Sequence, residues 1–282
     1  MITGTGSAGS GESAKKGLTQ VLSLRIFTAS IGLPIVLVLV YWGGWTFTIG
    51  FALLAAAGAL ELSQMLMSRG ILFFPRIAVV WIVALFISRQ VPGVAPTEVL
   101  ALGMALNAVA GVILGRDASS FMGVVTTSWA ALYLGYLFSF LVALRHLQDG
   151  LAATVSFFVV VWITDTLAFF VGRRFGRTRL LPHVSPSKTW AGTLGGAAGA
   201  VAGGICLSWF LHVTWWQGGL FGLVVSGTGQ LGDLLESQLK RFTGVKDSGG
   251  LLPGHGGILD RFDSVLFALP FAYYLLKSLG IP

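Results

Sequence analysis

Residues 151–179, LAATVSFFVVVWITDTLAFFVGRRFGRTR, form a helix-length apolar run interrupted by one carboxylate, Asp165, and closed by Arg173, Arg174, Arg177 and Arg179. About 20 predominantly apolar residues suffice for an α-helix to cross the hydrocarbon core of a bilayer. Lysine and arginine accumulate in the loops left on the cytoplasmic side. The stretch therefore reads as a membrane-spanning helix whose C-terminal end meets the cytoplasm.

The surrounding chain has the same character. Of 282 residues, 55% are hydrophobic and 10% charged, and the mean hydropathy is +0.83, far from the usage of soluble domains. The apolar runs are continuous rather than alternating, which selects helices over a membrane barrel. The predicted fold is an all-α polytopic membrane protein with about nine transmembrane helices. They are expected near 25–43, 45–63, 76–91, 97–115, 120–144, 151–172, 189–211, 216–234 and 262–280. Residues 1–17 are rich in Gly, Ser and Thr without periodicity and read as a disordered tail, natural or appended, outside the fold. The rest divides into N-terminal transmembrane helices, 18–150, and a C-terminal transmembrane region, 151–282, that carries the polar motifs. The single Cys206 excludes an intramolecular disulfide.

The cations test this division. With the N-terminus inside, Lys15, Lys16, Arg25, Arg69, Arg76, Arg116, Arg173, Arg174, Arg177, Arg179, Lys188, Lys240, Arg241, Lys246 and Arg261 fall on the cytoplasmic side, and Arg89, Arg145 and Lys277 on the other. Most of them serve topology and attraction to anionic lipid, worth about 1 kcal/mol each. The net charge of +7 follows the loops and gives no reason to expect a nucleic-acid partner.

Three features exceed that role. Asp165 sits within an apolar run, where a charge is costly and by default marks a pathway or a site. Residues 173–192 surround Pro182 and Pro186 with cations. Ser187 or Thr189 can cap the helix that resumes near Trp190, and Ser185 and Lys188 stand where a phosphate would meet that helix N-terminus. The third feature is residues 233–263, DLLESQLKRFTGVKDSGGLLPGHGGILDRFD. On a helix, Asp233, Glu236, Ser237 and Lys240 share one face, which must point into the bundle or a wet cavity. Lys240, Arg241, Lys246 and Arg261 can hold phosphates, while Gly256 and Gly257 let backbone N–H groups approach an anion. His255, flanked by glycines, can donate to a phosphate. Asp247, Asp260 and Asp263 offer hard oxygens, and Asp260 and Asp263 lie on adjacent turns, an arrangement suited to Mg²⁺.

The spacing of Ser237, Lys240, Arg241, Lys246, Asp247, Pro253, His255, Gly256, Gly257, Asp260, Arg261 and Asp263 resembles the signature of the phosphatidate cytidylyltransferases. Trp162, Asp165 and Thr166 followed by Phe175, Gly176 and Arg177, and the run Ser185 to Trp190, agree in order. The resemblance covers residues 162–263. It departs at Ala191, where family members commonly carry an acidic residue.

The resemblance implies an enzyme that transfers the cytidylyl group of CTP to phosphatidic acid, giving CDP-diacylglycerol and pyrophosphate. It further implies catalytic roles for Asp233, Lys240, Arg241, Lys246, Asp247, His255, Asp260 and Arg261, and substrate binding by Ser185, Lys188, Ser237, Gly256 and Gly257. Asp165, Asp233, Asp260 and Asp263 are its candidate ligands for Mg²⁺ and a second, monovalent cation such as K⁺. The setting is the lipid bilayer of the cell inner membrane, with the active site facing the cytoplasm. The rival readings are a CTP-dependent polyprenol kinase or another lipid-phosphate transferase, and an ion-coupled transporter using Asp165 and Asp233. Glycine runs such as 192–204 permit close helix contact, within one bundle or in a homodimer.

Overall fold

The computed structural model describes residues 30–115, 117, 119–250 and 256–280; the N-terminal tail, Arg116 and His255 lie outside them. Each expected apolar run is met by a helix. In chain order these are α1 (Ser30–Trp42), α2 (Gly44–Met67), α3 (Pro75–Ser88), α4 (Pro96–Leu114) and α5 (Ser119–Ala130). A π-helical turn, Ala131–Leu137, carries α5 without a break into α6 (Phe138–Arg145). There follow α7 (Gly150–Phe175), α8 (Trp190–Leu207), α9 (Trp215–Thr243) and α10 (Leu259–Ser278). Among the described residues five helical stretches are both long and apolar enough to cross a bilayer, namely α2, α4, the continuous Ser119–Arg145, α7 and α8. α9 and α10 are long but carry the charged motifs, and α1 and α3 are shorter.

Local chemistry sets the breaks. Pro75 and Pro96 occupy first-turn positions of α3 and α4, where a missing N–H costs nothing. The chain turns back between α1 and α2 at Gly43 and Gly44, both at positive φ. Thr214 and Gln217 form a capping box at the start of α9, and Gly244 closes it in the left-handed conformation.

The basic segment after α7 folds as a hairpin. Strands β1 (Arg179–Leu181) and β2 (Ser185–Thr189) pair antiparallel with Arg179 opposite Thr189. Pro182 and Pro186 exclude helix, and pairing satisfies backbone groups that an unpaired loop would leave to solvent.

Cross-links between elements define two ends of the bundle. At one end Arg69 Nε donates to Thr243 O (2.7 Å) and Glu61 receives the loop before α10. At the other, Gln90 Nε2 donates to Gly44 O (2.9 Å), Arg145 Nε to Val40 O (3.1 Å), and His212 Nδ1 meets Asp149 (3.0 Å). Successive helices alternate between these ends. The described cations Arg69, Arg76, Arg173, Arg174, Arg177, Arg179, Lys188, Lys240, Arg241, Lys246 and Arg261 therefore gather at the first end, with Arg89, Arg145 and Lys277 at the second.

The N-terminal and C-terminal helices share one aromatic core. Phe51 of α2 is fully buried and its ring meets those of Phe138 (5.8 Å), Phe158 (6.5 Å) and Phe262 (6.2 Å), so α2, α6, α7 and α10 converge on it. α8 packs by a different rule. In lipid, helices associate through close van der Waals contact at small residues, and a Cβ built on Gly222 would lie 2.0 Å from Ala200 O. Gly192, Gly196 and Gly199 of α8 likewise abut α7. These glycines are thus used within one bundle.

Gly222→Val is expected to force α8 from α9 and lower stability by about 1–3 kcal/mol, the usual cost of overpacking. A fall in the melting temperature of the detergent-solubilised protein, read by size-exclusion recovery after heating, checks this; an unchanged value would show that the two helices can separate freely.

Candidate active site

The polar site is built where α9 and α10 run against each other at the basic end. Gly232 permits their approach: a Cβ there would lie 2.5 Å from Asp263 O. The same approach brings Asp233 and Glu236 of α9 against Asp263 of α10, and one carboxylate oxygen from each lies within 4.8 Å of the others. Glu236 is 1% exposed, and its Oε1 has no hydrogen-bond partner. Asp263 Oδ1 accepts from the N–H of Ser264 (2.6 Å).

Two ammonium groups partly offset this negative charge. Lys188, on the last strand of the hairpin, reaches Asp233 Oδ2 at 2.6 Å. Lys240, one turn beyond Glu236, lies 2.7 Å from Glu236 Oε2 and 2.7 Å from Asp260 Oδ1. Burial alone would weaken the Lys240 charge, but the two carboxylates override it and raise its pKa above the ordinary lysine value. The cluster fits a hard cation. Its donors are all carboxylate oxygens, and a buried carboxylate oxygen without a partner is the kind of orphan that a bound ion explains.

The other oxygen of Asp260 organises the segment before α10. Asp260 Oδ2 accepts from Ser248 N, Ser248 Oγ and Gly257 N, each at 2.9 Å. Burial works to raise its pKa, yet Lys240 and the N–H groups of Gly257 and Ser248 more than offset this and hold Asp260 at about 2. Beneath it lies Glu61 of α2, 1% exposed. Glu61 Oε1 accepts from Ile258 N (2.9 Å) and Oε2 from Leu259 N (3.1 Å), which satisfies the open N–H groups at the start of α10. The hydroxyl of Ser248 stands between the two acids, donating to Asp260 Oδ2 (2.9 Å) with Glu61 Oε2 at 3.3 Å. A Cβ on Gly257 would fall 2.1 Å from Ser248 Oγ and 2.4 Å from Glu61 Oε2, which explains glycine there.

Beside the cluster a hollow of about 560 Å³ opens between α7, the hairpin and α8, lined among others by Asp165, Arg173, Arg179, Ser187, Lys188 and Asp233. Asp165 thus faces the same space as the Lys188–Asp233 pair. Thr189 Oγ1 accepts from Gly192 N (3.1 Å) and caps α8. Ser237 Oγ approaches Asp233 Oδ1 at 3.4 Å. Arg241 Nε donates to Val184 O (3.3 Å) and ties the hairpin to α9, and Ser185 is buried next to that contact. Lys246, Asp247 and Arg261 are exposed on the same end, and Gly256 is half-buried. His255 lies outside the described residues.

Asp233 and Asp263 are thus brought together, while Asp165 and Asp260 stand outside the triple cluster, and Glu236 completes it. Glu236 shares the helix face of Asp233 and Lys240, so the periodicity that selected those two pointed to it as well. Glu61 was missed although the signal was present. It is a carboxylate within an apolar run, as Asp165 is.

The chain matches the profile of the cytidylyltransferase family over residues 23–279. It belongs to that family. This cytidylyltransferase is 35% identical to the phosphatidate cytidylyltransferase of Synechocystis sp., over 90% of its own length and 96% of the relative's. It is 36% identical to that of Bacillus subtilis, over 89% and 96%, and 35% identical to phosphatidate cytidylyltransferase 4, chloroplastic, of Arabidopsis thaliana, over 95% and 76%. The match includes the N-terminal helices, so α2 and its Glu61 fall inside the family's extent.

Glu61→Ala in this cytidylyltransferase is expected to leave Ile258 and Leu259 N–H unbonded in a buried setting, at about 1–3 kcal/mol each. Limited proteolysis should then cut faster within residues 244–258. Cutting at the wild-type rate would show that Glu61 does not hold this segment.

Proposed function

We propose that this chain transfers the cytidylyl group of CTP to phosphatidic acid, releasing pyrophosphate and forming CDP-diacylglycerol. The observation that carries the proposal is the Asp233–Glu236–Asp263 cluster, flanked by Lys188 and Lys240 and open to a hollow at the basic end of a helix bundle. Its relatives by name support the substrate class.

A phosphate monoester oxygen of the lipid attacks the α-phosphorus of CTP. One P–O bond forms as the α–β phosphoanhydride bond breaks, and pyrophosphate leaves with its electron pair. The attacking oxygen is already anionic at neutral pH, so no general base is needed. The protein's tasks are alignment and neutralisation of charge. Lys188, on the wall of the hollow and next to the capped N-terminus of α8, is suited to an anionic phosphate. Lys240 holds Asp260 and Glu236 in register, and Lys246 and Arg261 lie at the exposed rim where a triphosphate would approach from water. Asp233, Glu236 and Asp263 would hold Mg²⁺, which supplies Lewis-acid polarisation and charge neutralisation at the phosphates when bound. Asp165, on the wall of the hollow and outside the triple cluster, is the carboxylate that a second, monovalent cation would meet.

On this reading the active site lies on the cytoplasmic face of the cell inner membrane, and the positive-inside bias supports that orientation. The gathering of cations at the end that holds the hairpin and the α9–α10 cluster supports the same orientation.

Purified protein supplied with CTP, Mg²⁺ and phosphatidic acid should release pyrophosphate. Asp263→Asn should lower that rate by about 100-fold or more while the protein still elutes as a folded species. Formation of CDP and a polyprenyl phosphate when a polyprenol is supplied, with no pyrophosphate released from CTP and phosphatidic acid, or release that Asp263→Asn leaves untouched, would refute the assignment.

A further inference from the structure

The lipid-facing side of the N-terminal helices is not smooth. Between the successive, antiparallel α3 and α4 lies a groove of about 440 Å³, walled by Ile77, Val80, Trp81, Val99, Leu102 and Leu106. Trp81 Nε1 donates to Val99 O (3.1 Å), which fixes the indole between the helices and spends its only donor. Gly103 admits the ring, since a Cβ there would fall 2.1 Å from it. Val80, Leu102 and Leu106 are each more than half exposed, and α4 is long and apolar enough to cross a bilayer. The groove thus faces hydrocarbon, and acyl chains are what fill it. One cation borders it. Arg76, exposed in the first turn of α3, lies on its wall at the basic end of the bundle. Among the described residues no carboxylate pairs with that guanidinium. From Arg76 to Ala84 the groove follows two turns of helix, about 12 Å at 1.5 Å per residue. The hydrocarbon of one leaflet is about 15 Å deep, so the groove matches a single leaflet.

We infer that this groove binds an anionic phospholipid of the leaflet at the basic end: one acyl chain lies between α3 and α4, and the phosphate sits against the Arg76 guanidinium. An arginine rests its stem on apolar surface and keeps its head at the polar boundary, which sets the charge at headgroup depth. A zwitterionic headgroup brings its own cation and gains less there. The groove shares no lining residue with the hollow beside Lys188 and Asp233, so the lipid held here is a resident one and not a reactant. Its effect is mechanical. Within α4 only Asn107 and Gly111 are buried by protein, and a lipid seated against α3 supplies contacts that the chain does not. The site needs neither CTP nor a metal ion.

The test places the purified full-length chain in phosphatidylcholine vesicles with increasing phosphatidylglycerol, one lipid or the other carrying dibrominated acyl chains that quench nearby tryptophan. For each variant, the quenching lost in its own Trp81→Phe counterpart reports the groove. At Trp81 of the wild type, phosphatidylglycerol should be preferred by about fivefold, the effect of one cation at the surface. Arg76→Gln should bring the preference near unity. Ala84→Phe, which fills the groove, should cut quenching by both lipids. Arg174→Gln removes an exposed cation of the same end outside the groove and should keep the wild-type preference. Native mass spectrometry makes the comparison without altering Trp81: phosphatidylglycerol should stay on the wild type and be lost from Arg76→Gln. No preference in the wild type, a preference that survives Arg76→Gln, or an equal fall in Arg174→Gln would each overturn the inference. So would a dimer in the vesicles that Ala84→Phe converts to monomer, since a second copy of the chain would then occupy the groove. None of these readouts involves pyrophosphate release, so their failure is separable from failure of the proposed reaction.

Discussion

Three carboxylates within 4.8 Å of one another repel, and the surrounding structure is organised to hold them there. Gly232 sets the distance between α9 and α10 that creates the cluster. Lys188 and Lys240 then keep two of its members paired from opposite sides. Such an arrangement is costly without a ligand, because like charges in a partly buried site gain little from water. Its persistence is understandable if polyvalent anions and their counterions are what the site receives. The lysines then have a second use: each lies beside a carboxylate and also where phosphate oxygens would arrive.

The position of the site follows from membrane physics. A nucleotide cannot enter hydrocarbon, and a diacyl lipid phosphate does not leave it. The hollow at that end of the helices is flanked by Asp165 inside α7 and by Arg179 and Lys188 of the hairpin, and the proposed reaction would require it to admit both substrates. The hairpin supplies what a helix could not. It carries Lys188 across to Asp233 and leaves Thr189 to cap α8, so a single short strand serves both the site and the fold.

Much of this was legible from the chain. Each expected apolar run contains a helix, and five helical stretches among the described residues are long and apolar enough to cross a bilayer, because in lipid the backbone has few alternatives; α9 instead continues past its apolar run to Thr243. The shared face of Asp233, Glu236 and Lys240 follows from helical spacing, and Asp165 stood out against its apolar neighbours. What could not be read were pairings between segments distant in sequence. Lys188 meets Asp233, and Glu61 meets residues 258 and 259, nearly two hundred positions away. No local pattern encodes such contacts. The groove beside Arg76 was hidden for another reason: it belongs to two helices together, and one arginine at the end of an apolar run looks like any other topology signal. Nor did the division at residue 150 hint that α2 would help build the site.

Glu61 also bears on how the protein is made. The ribosome delivers α2 to the membrane long before α10 exists, and until residues 248–259 arrive the carboxylate at position 61 has none of its eventual donors. A nascent or truncated chain therefore carries an unsatisfied acid in an otherwise apolar segment, and that discomfort ends only when the last helix docks. Completion of the chain is thereby written into its energetics, and a cell's quality-control proteases have a physical mark by which to tell finished molecules from unfinished ones.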